Sequence, residues 1–219
     1  MTPRLRAAAL AAGLTTFALP FVPVHAAPVD DAVADLQRDW ETIKYKTPPK
    51  AQEVRFEELA AKARKVSAAY PDRAEPLIWE GIIVSSLAGA KGGLGALGLV
   101  KQAKTLYETA LKLKPDALEG SAYNSLGVLY YKVPAWPVAF GDKAKAQELL
   151  QKALAINPKG IDPNFFYGEY LVETGKPKDA VAYLEYALDA PARPGREIAD
   201  AGRRDEAKTL LDKARAKAK

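Results

Sequence analysis

Apolar residues recur every three or four positions along most of this chain, the period of a helix with one buried face. Segment 103–115 (AKTLYETALKLKP) carries such a stripe, and so does segment 146–158 (AQELLQKALAINP). A third, 180–191 (AVAYLEYALDAP), repeats the pattern with its proline one residue early. Each is expected to be an amphipathic helix that stops before its proline, because the residue preceding a proline is pushed out of the helical region. Each also has an apolar partner upstream: 77–84 (LIWEGIIV), 123–130 (YNSLGVLY) and 164–171 (NFFYGEYL). Gly81, Gly127 and Gly168 stand in the middle of these partners. A glycine there costs about 1 kcal/mol of helix propensity, so each is expected where two helices of a hairpin approach closely.

The pattern extends to both ends. Residues 29–45 read as a helix, Thr47-Pro48-Pro49 as a break, and 53–70 as a second helix ending at Pro71. After Pro194-Gly195 a last helix is expected over 196–217, as a cap on the terminal repeat. The sum is about nine helices in four hairpins plus a cap. Two insertions interrupt the regularity. One is the Gly-rich stretch from Leu87 to Gly98, expected as an apolar insertion in a hairpin or a mobile lip over a ligand pocket. The other, Lys132 to Asp142, holds Trp136 between two prolines. Tryptophan is the commonest binding hot spot. Trp136 is therefore either a partner contact or a plug folded back on the solenoid edge.

The large–x–x–x–Gly–x–x–aromatic helix, followed by Ala, large apolar, Ala and Pro, resembles the tetratricopeptide repeat (TPR). The spacing from Ala153 to Ala187 is that family's 34 residues, and the wider spacing from Ala110 to Ala153 reflects the second insertion. The resemblance implies an all-α, right-handed TPR-type solenoid of antiparallel hairpins over residues 27–195. Its last three units would be 74–117, 118–160 and 161–194, followed by a capping helix and basic tail over 196–219. The resemblance also implies that the first helix of each unit lines a concave face. Carried onto this sequence, those positions are Ile78, Ile82, Ser85 and Ser86, then Asn124, Val128, Tyr131 and Lys132, then Phe165, Glu169, Val172 and Glu173. Trp136 and Phe140 join them from the insertion. This face is apolar and aromatic, which favours an apolar peptide segment or a hydrophobic small molecule. The TPR units, the export signal described next and the YKVPxWPxxFGD insertion are together similar to the periplasmic T-components (TatT-like) of TRAP transporters. Members of that family are thought to pass a ligand to a substrate-binding partner. They are often lipoproteins, whereas this chain has no cysteine to lipidate.

Composition narrows the chemistry. Residues 1–26 read as a cleaved signal peptide: Arg4 and Arg6, an apolar run to Val22, then Val24-His25-Ala26 before the cut. The apolar run is too short and too interrupted for a span of ~20 residues. Export to the periplasm is expected, with no transmembrane segment in the mature chain. His25 is the sole histidine and there is no cysteine, so the mature chain would hold neither. Thiol and histidine-assisted nucleophiles and His or Cys metal sites are thereby excluded, and no cofactor is expected. The adjacent acids Asp30–Asp31, Glu57–Glu58 and Asp205–Glu206 read as solvated surface. Gly93-Leu-Gly-Ala-Leu-Gly98 matches a dinucleotide fingerprint but lacks the strand that motif requires. The formal charge of +5 is interleaved with acids rather than gathered in a stripe, so no nucleic-acid partner is expected. The function expected is that of a non-enzymatic periplasmic binding protein, with an envelope-assembly scaffold as the alternative.

Overall fold

The computed structural model describes residues 28–218; the expected signal peptide lies outside them. Nine helices follow one another among the described residues: α1 (Pro28–Lys46), α2 (Pro49–Ala69), α3 (Ala74–Lys91), α4 (Ala96–Leu113), α5 (Ala117–Lys132), α6 (Lys143–Ile156), α7 (Ile161–Glu173), α8 (Pro177–Asp189) and α9 (Glu197–Lys217). An isolated bridge between Ala135 and Gly141 is the one extended pairing among them. None of the described helices is long and apolar enough to cross a membrane.

Helix ends follow from the local sequence. Pro49 and Pro177 open α2 and α8, where a missing N–H costs nothing. For that reason α2 starts at Pro49 rather than at the expected Glu53. The α6 N-terminus is capped by Asp142, whose carboxylate accepts from the Lys145 N–H at 3.0 Å. Pro71, Pro115, Pro158 and Pro191 follow the ends of α2, α4, α6 and α8.

The central glycines sit where helices of a hairpin meet. A Cβ on Gly81 would lie 2.5 Å from the Tyr107 ring, on Gly127 2.8 Å from Leu150, and on Gly168 2.8 Å from Leu184. The Gly-rich insertion lies within the α3–α4 hairpin. It lengthens both helices: α3 runs on to Lys91 and α4 begins at Ala96. Gly92 and Gly93 make the reversal with φ of 64° and 57°. Leu87 and Val100 are buried in the core, and Leu94 alone stands out into solvent. The second insertion forms a loop closed by the Gly141 N–H to Pro134 O (2.9 Å) and the Asp142 N–H to Tyr130 O (2.8 Å).

The helices stack in two layers. In the inner layer α1 touches α3, α3 touches α5, α5 touches α7 and α7 touches α9. The inner row also closes, because α9 packs back against α1. The helix expected as a cap over 196–217 is therefore the fifth wall of a ring. At the closure Gly202 of α9 lies against Tyr45 of α1, with its Cβ position 2.3 Å from the ring. Any side chain there would collide with the tyrosine.

Candidate functional site

The ring surrounds a cavity of about 1450 Å³ that is partly open to solvent and is lined from all five inner helices. Apolar and aromatic side chains form one part of the wall: Trp40, Phe56, Trp79, Ile82, Tyr107, Leu118, Val128, Phe165 and Phe166. Ser85, Ser86, Ser121, Asn124 and Ser125 add hydroxyl and amide groups. Trp40 Nε1 donates to Ser86 Oγ at 2.8 Å, and the Trp40 and Trp79 rings meet edge to face with centroids 5.9 Å apart.

Of the sequence-derived contact positions, Ile82, Asn124, Val128, Lys132, Phe165 and Glu169 line this cavity, as do Ser85 and Ser86. Ile78 does not. It is fully buried among Ala74, Ala110, Ala117 and Ala122, and Leu118 packs over that cluster and faces the cavity in its place. Leu118 reaches there because Leu118, Glu119 and Gly120 take left-handed backbone angles, with φ of 47°, 56° and 79°. Tyr131 is also withdrawn from the cavity. Its ring packs edge to face on Tyr170 and its hydroxyl donates to Glu169 Oε2 at 2.5 Å. Val172 is core, and Glu173 is exposed and paired with Lys132. Phe140 lies outside the cavity against Tyr130, with Lys104 over its ring at 5.8 Å. Trp136 is 86% exposed at the tip of its loop, so it does not plug the solenoid edge.

The remaining part of the wall is charged, and sequence reasoning missed it. Asp162 at the start of α7 accepts from Arg193 Nη1 at 2.7 Å and from Arg203 Nε at 2.8 Å. Arg193 also donates to the buried Asp200, and Arg203 Nη1 donates to Glu206 Oε2 at 2.6 Å. Arg196 Nε donates to Glu41 Oε2 at 3.3 Å, which joins α9 to α1, and its guanidinium lies 5.0 Å from the Trp79 ring centre. The Arg203 guanidinium stacks on Phe165 and Phe166 at 4.5 and 4.4 Å. Burial pushes the Asp162 carboxyl up, but Arg203 and Arg193 outweigh it and hold the group at about 2. Burial would release the Arg203 proton, but Asp162 outweighs burial and Arg203 stays firmly charged.

No protein-family model and no curated protein matches the chain. Solved structures do. A thermophilic TPR protein of Thermus thermophilus superposes with a TM-score of 0.55 at 16% identity, over 84% of this chain and 90% of that one. MamA gives 0.43 at 22% identity, over 77% and 92%, and Pseudomonas aeruginosa PilF gives 0.34 at 14%, over 86% and 90%. The last two superpose too loosely to bear on the fold. The fold is that of an all-α tetratricopeptide-type solenoid, here with its first and last helices joined.

Proposed function

We propose that this chain is an exported, non-enzymatic binding protein of the periplasm, linked to TRAP-type transport. It holds a small apolar-bodied molecule inside its ring and exchanges that molecule with a protein partner. The observation that carries this reading is the large, partly open cavity with its aromatic wall. Ligand sites are typically concave and mostly apolar with a few placed polar groups, and this cavity has that character. Because α9 packs on α1, the inner helices form a bounded basin rather than a continuous trough along which an extended peptide could lie. A compact ligand therefore fits better than a partner segment. The sequence resemblance to the T-components supports the transport link, and residues 1–26 support export.

The same reading assigns partner contact to Trp136, an exposed indole on a proline-stiffened loop, which can be buried by a partner at little entropic cost. That exposure equally suits a scaffold in envelope assembly, and one experiment separates the two. Protein purified from its host is examined by native mass spectrometry, with and without Trp136→Ala. A small molecule released on denaturation is expected in both forms. Capture of the protein partner should weaken about thirtyfold in the variant, with stability changed by less than about 0.5 kcal/mol. A ligand-free protein that keeps a stable protein complex would favour the scaffold.

A further inference from the structure

We infer that the ligand of this cavity is a monocarboxylate with an apolar body, of the fatty-acid or aryl-acid class, held through its carboxylate by Arg196. The inference rests on the cavity's being a ligand site and adds the chemistry of what enters it. Arg196 lines the cavity, and its side chain is 12% exposed. Its Nε donates to Glu41 Oε2 at 3.3 Å, whereas Nη1 and Nη2 have no partner among the described residues. Both Nη groups keep accessible surface, unlike Trp79 Nε1 and Asn124 Oδ1, which are unpartnered and shut off from solvent. The free edge of a guanidinium presents parallel N–H groups that match the oxygens of a carboxylate.

The neighbouring guanidiniums are engaged more fully. Arg193 is held at Nε, Nη1 and Nη2 by Asp162 and Asp200, and Arg203 at Nε and Nη1 by Asp162 and Glu206. Burial lowers the pKa of all three. At Arg193 and Arg203 the Asp162 carboxylate more than restores it. At Arg196 repulsion by Arg193 adds to burial, and Asp162 and Glu41 do not make up the loss. Arg196 is thus the guanidinium of the three whose charge the fold leaves under-compensated. A phosphate dianion would need further cations and would meet the acids that hold Arg193 and Arg203, so a single negative charge fits. The apolar body has a place beside the head group. The Arg196 guanidinium lies 5.0 Å from the Trp79 ring centre, and Ile82 follows Trp79 by one turn of α3. Ile82 and Leu118 pack against the cluster that holds Trp40 and Trp79. Ile82, Leu118, Val128 and Phe166 are half-buried and line the cavity, which leaves apolar surface for a hydrocarbon chain or ring to cover.

The test uses the full mature chain carrying Trp136→Phe, so that the fluorescence comes from Trp40 and Trp79. It is titrated with decanoate, 1-decanol, decylammonium and decyl phosphate. Decanoate is expected to bind about tenfold tighter than each of the others. Glu41→Gln keeps an acceptor for the Ala199 N–H and removes the carboxylate that competes for Arg196, so decanoate should bind equally well or tighter. Adding Arg196→Met to Glu41→Gln leaves no orphaned buried carboxylate. Measured against Glu41→Gln alone, it should weaken decanoate about tenfold and change decanol less than about twofold. Arg196→Lys, which keeps the charge without the fork, should fall between. Decanol or decyl phosphate binding as tightly as decanoate would overturn the inference while leaving the cavity a ligand site, and so would decanoate affinity unchanged by Arg196→Met. No saturable change with any of the four probes would overturn both.

Discussion

Replacing Asp162 with alanine is expected to lower the unfolding free energy by about 2 kcal/mol, because it removes one carboxylate from two partly buried guanidiniums at once, leaving Arg193 with Asp200 and Arg203 with Glu206. Arg203 and Arg193 both donate to this carboxylate, and Arg203 is held among the Phe165 and Phe166 rings with little access to water. Denaturant unfolding checks the value. Asp162→Asn keeps the shape and the acceptor oxygen, so it should cost less and isolate the charge. The pH dependence has a definite sign. The folded carboxyl titrates at about 2, below its ordinary 3.8, so ionisation favours the folded state. Its contribution, about 2 kcal/mol, is fully present above pH 4 and is lost as the pH falls through 2. Between those values Asp162→Asn should lose about 2 kcal/mol less stability than the parent chain. Equal losses would remove Asp162 from the acid response.

Gly202→Leu is expected to open the ring. The Cβ position at Gly202 is 2.3, 2.4 and 2.7 Å from Tyr45 Cδ1, Cε1 and Cγ, so the whole tyrosine ring must move or α9 must leave α1. Tyr45 is confined by Trp40, whose ring it meets edge to face at 5.9 Å. Overpacking of this kind costs about 2 kcal/mol. The larger effect falls on the cavity, which loses one wall, so ligand retention should drop more than tenfold. Lys208→Leu, on the exposed side of the same helix, should change stability by less than about 0.5 kcal/mol and leave retention intact. If both variants retained ligand equally, ring closure would have no part in binding.

The repeats were legible because helix period, prolines and hairpin glycines are local signals. They placed α3 to α8 and drew attention to the face that became the cavity wall. What sequence reasoning could not supply was closure. Asp162 and Arg203 are charged residues in amphipathic helices and Arg193 lies in the connection between α8 and α9, and such residues ordinarily read as solvated surface; only the meeting of α1, α7 and α9 makes them wall. One signal was available. Gly202 lies inside a helix of 21 residues, where glycine is unfavourable unless another element packs against it. Gly81, Gly127 and Gly168 were read in that way, and Gly202 obeys the same rule towards α1. The displacement of Ile78 by Leu118 also had a signal: Gly127 follows Pro115 at a greater distance than Gly168 follows Pro158. The extra residues form the left-handed turn that carries Leu118 inward.

The most direct measurement of ring closure is a disulfide between α1 and α9. The chain has no cysteine, so Tyr45→Cys with Gly202→Cys introduces a single possible pair. A Cβ at position 202 lies 2.7 Å from Tyr45 Cγ, one bond from its Cβ, inside the ~4.5 Å that a disulfide spans between Cβ atoms. Mild oxidation of the folded, dilute double variant should close this bond within one molecule nearly to completion, with the loss of two hydrogens by mass. Two free thiols persisting in the folded chain would mean that α9 does not rest on α1, and the cavity would lack its fifth wall.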